Sequence, residues 1–414
     1  MEERAPAPAG PLYGVSAEAA LGPGSLLSTP SYLRLWTAGA IGNGMRWLEL
    51  LVAGIFTWQL TQSTFLVALV TVARTLPMLF LGTIAGLVAD SLDRKRLLLL
   101  QLFAMAANSA VLALLAGLGW IEVWHIALGG AVAGIAWAAE LAVRRRMIGE
   151  CVAPGHVREA IALDTLTGSV TRVLGPLLGG AIFETLGLGG AYLLSAVLYG
   201  AAGIIIRGLE FHQEARPLVL SRIPADIAEG LAVARANPSI MTVVFVSIIA
   251  NTFGFSYSSL VAPLGLHDYR VGPLLVGLLA AAEPLGAIAG GIAVSVGWTR
   301  LDGRRAMLRG TFLFFAGVIV MALSPWYALA FLVLCVAGLG SAAFSIMQTS
   351  LILIEAPPAL RSRVMGIVTV CIGTGPFGVL AIGALSEWLG APAAILIMAG
   401  TGLCGLALLR LRLG

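Results

Sequence analysis

Apolar runs long enough to cross a bilayer recur along the whole chain and decide its environment. They lie at 33–58, 65–89, 97–117, 123–143, 160–183 and 190–208, and again at 240–264, 273–297, 306–324, 328–354, 364–386 and 392–410. About 20 apolar residues in a helix span the hydrocarbon core. Lipid offers no partner to backbone polar groups, so a spanning segment must satisfy its own. Runs of this length do so as helices. Only 11% of the 414 residues are charged, against about 25% in a soluble domain. Such a chain has too few charges to cover itself in water. The expected fold class is therefore an all-α membrane protein of twelve transmembrane helices. The runs and their short connections use up the length, and no soluble catalytic domain is expected.

The basic residues are ordered by loop. Arg94, Lys95 and Arg96 follow the second run, and Arg144, Arg145, Arg146 and Arg158 follow the fourth. Arg207, Arg216, Arg222 and Arg235 follow the sixth, and Arg300, Arg304, Arg305 and Arg309 the eighth. Arg361 and Arg363 follow the tenth, Arg410 and Arg412 end the twelfth, and the opposite loops hold only Arg270. The positive-inside rule then places the basic loops and both termini in the cytoplasm of a cell whose inner membrane carries the protein. The net charge of +4 is thus read as topology, and no nucleic-acid partner is expected. Residues 1–31 hold Glu2, Glu3 and an Ala-Pro run from Ala5 to Pro8. They lack the basic start and apolar core of a secretory signal and are expected to be a flexible cytoplasmic tail.

Residues 153–187 repeat at 356–390 with a constant offset of 203. Ala153-Pro154 matches Ala356-Pro357, Arg158 matches Arg361, and Gly175 matches Gly378. Gly180-Ala181 matches Gly383-Ala384, and Glu184, Leu186 and Gly187 match Glu387, Leu389 and Gly390. The fifth run is therefore the counterpart of the eleventh, and the chain reads as two six-helix units at 32–208 and 239–414. The polar segment 209–238 is the expected linker, with Ile223 to Ala236 as an amphipathic surface helix. Parallel repeats about the membrane normal are one recognised organisation of transporters.

Cys151, Cys335, Cys371 and Cys404 show neither metal-ligand spacing nor a disulfide framework. His125, His156, His212 and His267 are scattered. No metal and no cofactor are read from the linear sequence. No Ser/His/Asp set, paired acid cluster or phosphate-cradling loop stands out, so an enzyme is not expected.

After the second run the chain reads Gly86-Leu-Val-Ala-Asp90-Ser-Leu-Asp93-Arg94-Lys95-Arg96. This resembles the cytoplasmic loop motif of the major facilitator superfamily, with Asp93 where that family usually has glycine. Leu301-Asp302-Gly303-Arg304-Arg305 is a degraded copy in the second half. Leu35-Trp36, Ala73-Arg74-Thr75-Leu76-Pro77, Arg172-Val-Leu-Gly175-Pro176-Leu-Leu-Gly179-Gly180 and Leu360-Arg361-Ser-Arg363-Val-Met365 extend the similarity. Together they look like the branch that includes enterobactin exporters and macrolide efflux proteins. The resemblance implies a cytoplasmic gate of Gly86, Asp90, Arg94 and Lys95, closing on Arg361 or Arg363 in the other half. Asp90 and Arg94, four apart, would share a face; the alternative is that these charges only set topology. Gly175, Pro176, Gly179 and Gly180 resemble the antiporter motif, with Thr171 in place of a further glycine. They are expected to hinge the fifth helix or to pack it closely.

Five charges fall inside the runs: Arg46, Glu49, Arg74, Arg172 and Glu283. An Arg facing lipid costs about 2.5–3.5 kcal/mol on an insertion scale, so these groups should face a central cavity or each other. Desolvation favours the neutral form of a carboxylate, which makes Glu283, and then Glu49, the candidates for proton coupling. The alternatives are salt bridges, Glu283 with Arg46 or Arg172, and Glu49 with Arg46. Glu140 and Asp164, near the Arg144–Arg146 cluster, are read as gate or structural residues. Arg46, Arg74 and Arg172, with Asn43, Trp47, Asn251, Tyr257 and Gln348, are the candidate cavity wall. The expected site lies between runs 1, 2, 5, 7, 8 and 10. The expected activity is proton-coupled efflux of a bulky amphipathic small molecule by rocker-switch alternating access, with one chain as the working unit. The alternative is a facilitator or importer of an anionic lipid, nutrient or metal without proton coupling. A non-transporting sensor would need an appendage that the short loops do not offer.

Overall fold

The computed structural model describes residues 26–91, 93–211, 223–295, 302–357 and 360–413. Among the described residues the regular structure is helical, with no strand. The first half contains α1 (Pro30–Thr61), α2 (Thr64–Ser91), α3 (Arg94–Gly117), α4 (Val123–Glu150) and α5 (Val157–Arg207). A short helix, α6 (Ile223–Ala236), falls in the segment read as amphipathic. The second half contains α7 (Pro238–Ile249), α8 (Pro273–Ser295), α9 (Gly303–Leu323) and α10 (Tyr327–Glu355). It ends with α11 (Arg361–Ile372), α12 (Gly375–Leu389) and α13 (Ala391–Leu413). Within the described residues the apolar runs fall on these elements: α5 carries the fifth and sixth, and α11 and α12 share the eleventh. Among the described residues nine segments are long and apolar enough to cross a membrane, the 51 residues of α5 being one of them. Large apolar side chains such as Leu114, Ile204 and Trp388 are exposed on the outer faces, as lipid contact requires.

Local chemistry explains where the chain turns. Within α5 the one non-helical residue is Gly187, at φ 66° and ψ −169°. Gly390, its counterpart at the repeat offset, ends α12 at φ 82°. A side chain makes that backbone region costly, so glycine is the residue that fits. Asp93, the departure from the family loop, caps α3 by accepting from the Arg96 N–H at 3.1 Å. Its carboxylate satisfies a first-turn donor that would otherwise lack a partner.

Glycines set how closely the helices approach. In the first half α1 lies along the first part of α5, and the indole N–H of Trp36 donates to Thr167 at 2.9 Å. A Cβ on Gly175 would stand 2.6 Å from the Trp47 Cβ and 2.9 Å from the Gly44 carbonyl, and one on Gly179 would stand 3.1 Å from the Leu48 carbonyl. On its other side α5 meets α8 of the second half, Gly180 against Pro273 and Pro176 against Gly277. Inside the second half α8 and α10 touch backbone to backbone at Gly286 with Cys335 and at Gly338 with Glu283. Small residues at such crossings let dispersion hold helices together where lipid removes the hydrophobic drive. Gly175, Pro176, Gly179 and Gly180, read as a hinge or a close-packing surface, all lie within α5. The helix runs through them with Pro176 inside it, and Gly175, Gly179 and Gly180 are close-approach points to neighbouring helices.

The named contacts between the halves, α5 with α8 and α2 with α12, run from mid-depth to the end remote from the basic loops. If Gly175 is a contact point, Gly175→Ala will lower thermal stability in detergent by about 1–3 kcal/mol, the usual cost of overpacking. Unchanged stability with impaired transport would favour the hinge reading instead.

Candidate functional site

A cavity of about 350 Å³ lies between the two halves. Arg46 and Trp47 of α1, Arg74 of α2, Arg172 of α5 and Glu283 of α8 all reach it. Its remaining wall comes from Trp137 of α4, from the segment after α7, and from the junction of α11 and α12. That segment departs from α-helix: a π turn over Ala250–Gly254, a 3-10 stretch over Phe255–Leu260 and a second π turn over Leu264–Asp268. Serines keep its backbone satisfied. Ser258 donates to the Phe255 carbonyl at 2.8 Å and Ser259 to the Ser256 carbonyl at 2.9 Å. Irregular backbone at membrane depth is tolerated where it lines a cavity, and π turns recur at functional sites.

Three arginine–carboxylate pairs surround this space, each with a buried carboxylate. Arg46 bonds Glu140 of α4 and donates to Asn43 at 2.5 Å. Arg74 lies 3.5 Å from Glu49 and donates to the Arg46 carbonyl at 3.1 Å. Arg172 bonds Glu283 at 2.9 Å. The first two pairs stay within one half, whereas the third joins the halves. The pairing of Arg46 with Glu49 expected from their spacing does not form: Arg46 turns toward Glu140, and Glu49 accepts from Ser109 at 2.7 Å and faces Arg74. Glu49 is fully buried behind the wall. Glu283 makes the salt bridge to Arg172 rather than to Arg46. The Ser341 hydroxyl bonds the other oxygen of Glu283 and also lies 3.0 Å from the Gly338 carbonyl. Arg172 is 38% exposed, its guanidinium stands 5.4 Å from the Trp47 ring, and its Nε–H has no partner among the described residues.

The other candidates divide. Trp47, Asn251 and Tyr257 line the cavity. Asn43 stands behind it as a partner of Arg46. Gln348 does not join the wall; it is buried, donating to Ser247 at 2.6 Å, and α10 contributes no lining residue. The α11–α12 junction at Gly373–Pro376 comes to the wall instead. Trp137 and Phe255 were not anticipated. Trp137 stands 5.1 Å from the Arg46 guanidinium, a cation–π contact that spacing along one helix does not reveal.

At the basic end, the side chains of Gly86 and Asp90 lie outside the described ones. Arg94 grips both oxygens of Glu150 at 2.6 Å, so the α3 start is tied to the α4 end. Lys95 is half-buried. Arg361 donates to the Ala356 carbonyl at 3.3 Å, and Arg363 bonds Glu229 of α6. Arg144 bridges Glu140 and Asp164, the two acids read as gate or structural residues. Burial and the neighbouring Glu150 push the Cys151 thiol up to about 12. It therefore stays protonated at neutral pH, and maleimide should leave it unmodified in the folded protein, as mass spectrometry would report.

The sequence model of a family described as "Transmembrane secretion effector" matches residues 21–414. The multidrug efflux pump Tap of Mycolicibacterium fortuitum is 25% identical over 87% of this chain and 90% of its own. The enterobactin exporter EntS of Citrobacter koseri is 27% identical over 84% of this chain and 83% of its own. Among solved structures, a peptide transporter POT in complex with sulfate superposes with a TM-score of 0.76 at 13% identity, covering 95% of this chain and 99% of that one. A bacterial homologue of the lysosomal transporter Spinster, inward-facing and unoccupied, gives 0.69 at 15% identity over 92% and 94%. At those identities the structures establish the fold.

A double-mutant cycle on Arg172→Met and Glu283→Leu isolates the cross-half pair. Each single variant leaves a charge unmatched and is expected to lose more thermal stability than the double variant. Additive losses would mean that the two groups do not interact.

Proposed function

The chain belongs to the transmembrane secretion effector family of major facilitator transporters, and on that premise we propose that it exports a bulky amphipathic small molecule by proton antiport. The observation that carries this reading is the Arg172–Glu283 pair. It joins the two halves in the wall of the central cavity. A proton on Glu283 removes the charge that holds Arg172, so protonation and the fit between the halves are one equilibrium. The contacts around Glu283 suit both states. When the carboxylate is ionised, the Ser341 hydroxyl donates to it. When it is protonated, its OH donates to the Ser341 oxygen, and the hydroxyl turns to the Gly338 carbonyl.

The cavity surface supports an amphipathic cargo. Trp47, Trp137, Phe255 and Tyr257 offer aromatic faces, and the guanidinium of Arg172 offers a point of charge. Tap and EntS, both named as exporters, support the outward direction. The basic loops favour cytoplasmic termini in the inner membrane. One chain encloses the cavity, which supports a monomer as the working unit. Halves rocking about a mid-membrane site are the mode of this architecture. A second reading, proton-independent carriage of an anionic substrate, is favoured by three arginines against one carboxylate in the wall.

The test is reconstitution in liposomes with an internal pH dye and an imposed proton gradient. Amphipathic cations, macrolides, anionic chelators and lysolipids would be added in turn to wild type and Glu283→Gln. Collapse of the gradient by one class, abolished in the variant, is the expected result. Compound flux without proton flux would sustain the second reading and reduce Glu283 to a structural partner.

A further inference from the structure

Two glutamates that the internal repeat places at equivalent positions do the same thing in space. Glu184, near the end of the first part of α5, accepts from the Leu274 N–H at 2.9 Å. Glu387, near the end of α12, accepts from the Phe65 N–H at 3.0 Å, the Ser63 hydroxyl at 3.0 Å and the Thr64 hydroxyl at 3.1 Å. Leu274 and Phe65 each lie in the first turn of a helix, α8 and α2, in the opposite half. Each glutamate thus seats its carboxylate on backbone donors that a helix N-terminus leaves unpaired. The helix dipole and the ionic hydrogen bonds both favour a negative charge there. The two contacts cross the interface in opposite senses, first half to second and second half to first.

Their surroundings are shaped for the contact. A Cβ on Gly272 would stand 3.3 Å from the Glu184 carboxylate, and Gly383 lets α12 close on Ala68 of α2 one turn deeper. Glu184 and Glu387 are three residues before Gly187 and Gly390, whose positive φ ends each helix just beyond the contact. Both carboxylates remain exposed, and a polar cavity of about 340 Å³ bounded by Trp58, His267, Asp268, Ser386 and Glu387 adjoins one of them. Water can therefore replace each contact when it breaks. All of this lies at the end remote from the basic loops.

We propose that Glu184 and Glu387 form a twin clasp that holds this end of the transporter shut, and that both contacts must release for the cavity to open there. The clasp is a property of alternating access and does not depend on which ion is coupled or on Glu283. Glu387, with three donors, is the stronger half of the pair.

The test is sided labelling of a cavity cysteine in the full chain. Ser258→Cys, an exposed position on the cavity wall, would be treated with a membrane-impermeant maleimide in intact cells and in inverted vesicles. Labelling of the native cysteines, measured without Ser258→Cys, is subtracted. In Glu184→Gln with Glu387→Gln, labelling from the clasped side is expected to rise several-fold and labelling from the basic side to fall. Labelling from the clasped side that stays at the parent value, or that rises equally from both sides, overturns the clasp. If the double variant does not accumulate, Glu387→Gln alone carries the same comparison with a smaller shift. Loss of proton coupling leaves this readout untouched, so the two proposals fail separately.

Discussion

A charge inside a bilayer needs an opposite charge beside it, and that requirement organises the centre of this molecule. Arg46, Arg74 and Arg172 each face a carboxylate, from Glu140, Glu49 and Glu283. Two pairs tie together helices of the first half, α1 to α4 and α2 to α1. The third spans the interface, so it is the one of the three whose strength depends on how the halves sit. Removing one member of a buried pair is far costlier than never having built it. A change of charge at Glu283 is therefore a local event with a consequence for the whole interface.

Outside that pair the halves meet through close glycine contacts and carboxylates on helix N-termini. Glycine contacts hold α5 against α1 on one flank and against α8 on the other. The first contact lies within a half and the second between halves, so α5 is the element common to both. At the end away from the basic loops the halves meet through carboxylates on helix N-termini, contacts that water can replace. At mid-depth the wall includes irregular backbone after α7, where serine hydroxyls satisfy carbonyls that a regular helix would have used. The cavity and the contacts between the halves thus share one surface.

Much of the architecture was legible in the chain itself. The spans were readable because hydrocarbon thickness fixes their length, and the internal repeat because equivalent residues recur at one offset. The partners of the buried charges were not readable. Arg46 and Glu49 are three apart on one helix, yet Glu140 of α4 takes the arginine, because the choice is made by helices that meet only in the fold. Gln348 looked like a wall residue for its polarity, but its amide is spent on Ser247. Gly175 and Gly179 face α1 and Gly180 faces α8, partners that their residue type did not name. The repeated glutamates were visible as a pattern without a meaning, since the peptide N–H of Phe65 and that of Leu274 leave no mark in residue type. The irregular backbone after α7 was not readable either, since apolar periodicity does not register π turns.

Glu283 is proposed to take up and release the coupled proton, with Arg172 across the interface from it. Infrared difference spectroscopy of the lipid-embedded protein, taken between alkaline and mildly acidic pH, observes that carboxyl directly. The expected result is a protonated-carboxyl band that grows on acidification, is missing in Glu283→Gln and shifts when Ser341 is replaced by alanine. A wild-type spectrum with no such band, or a band that persists unchanged in Glu283→Gln, would contradict the claim.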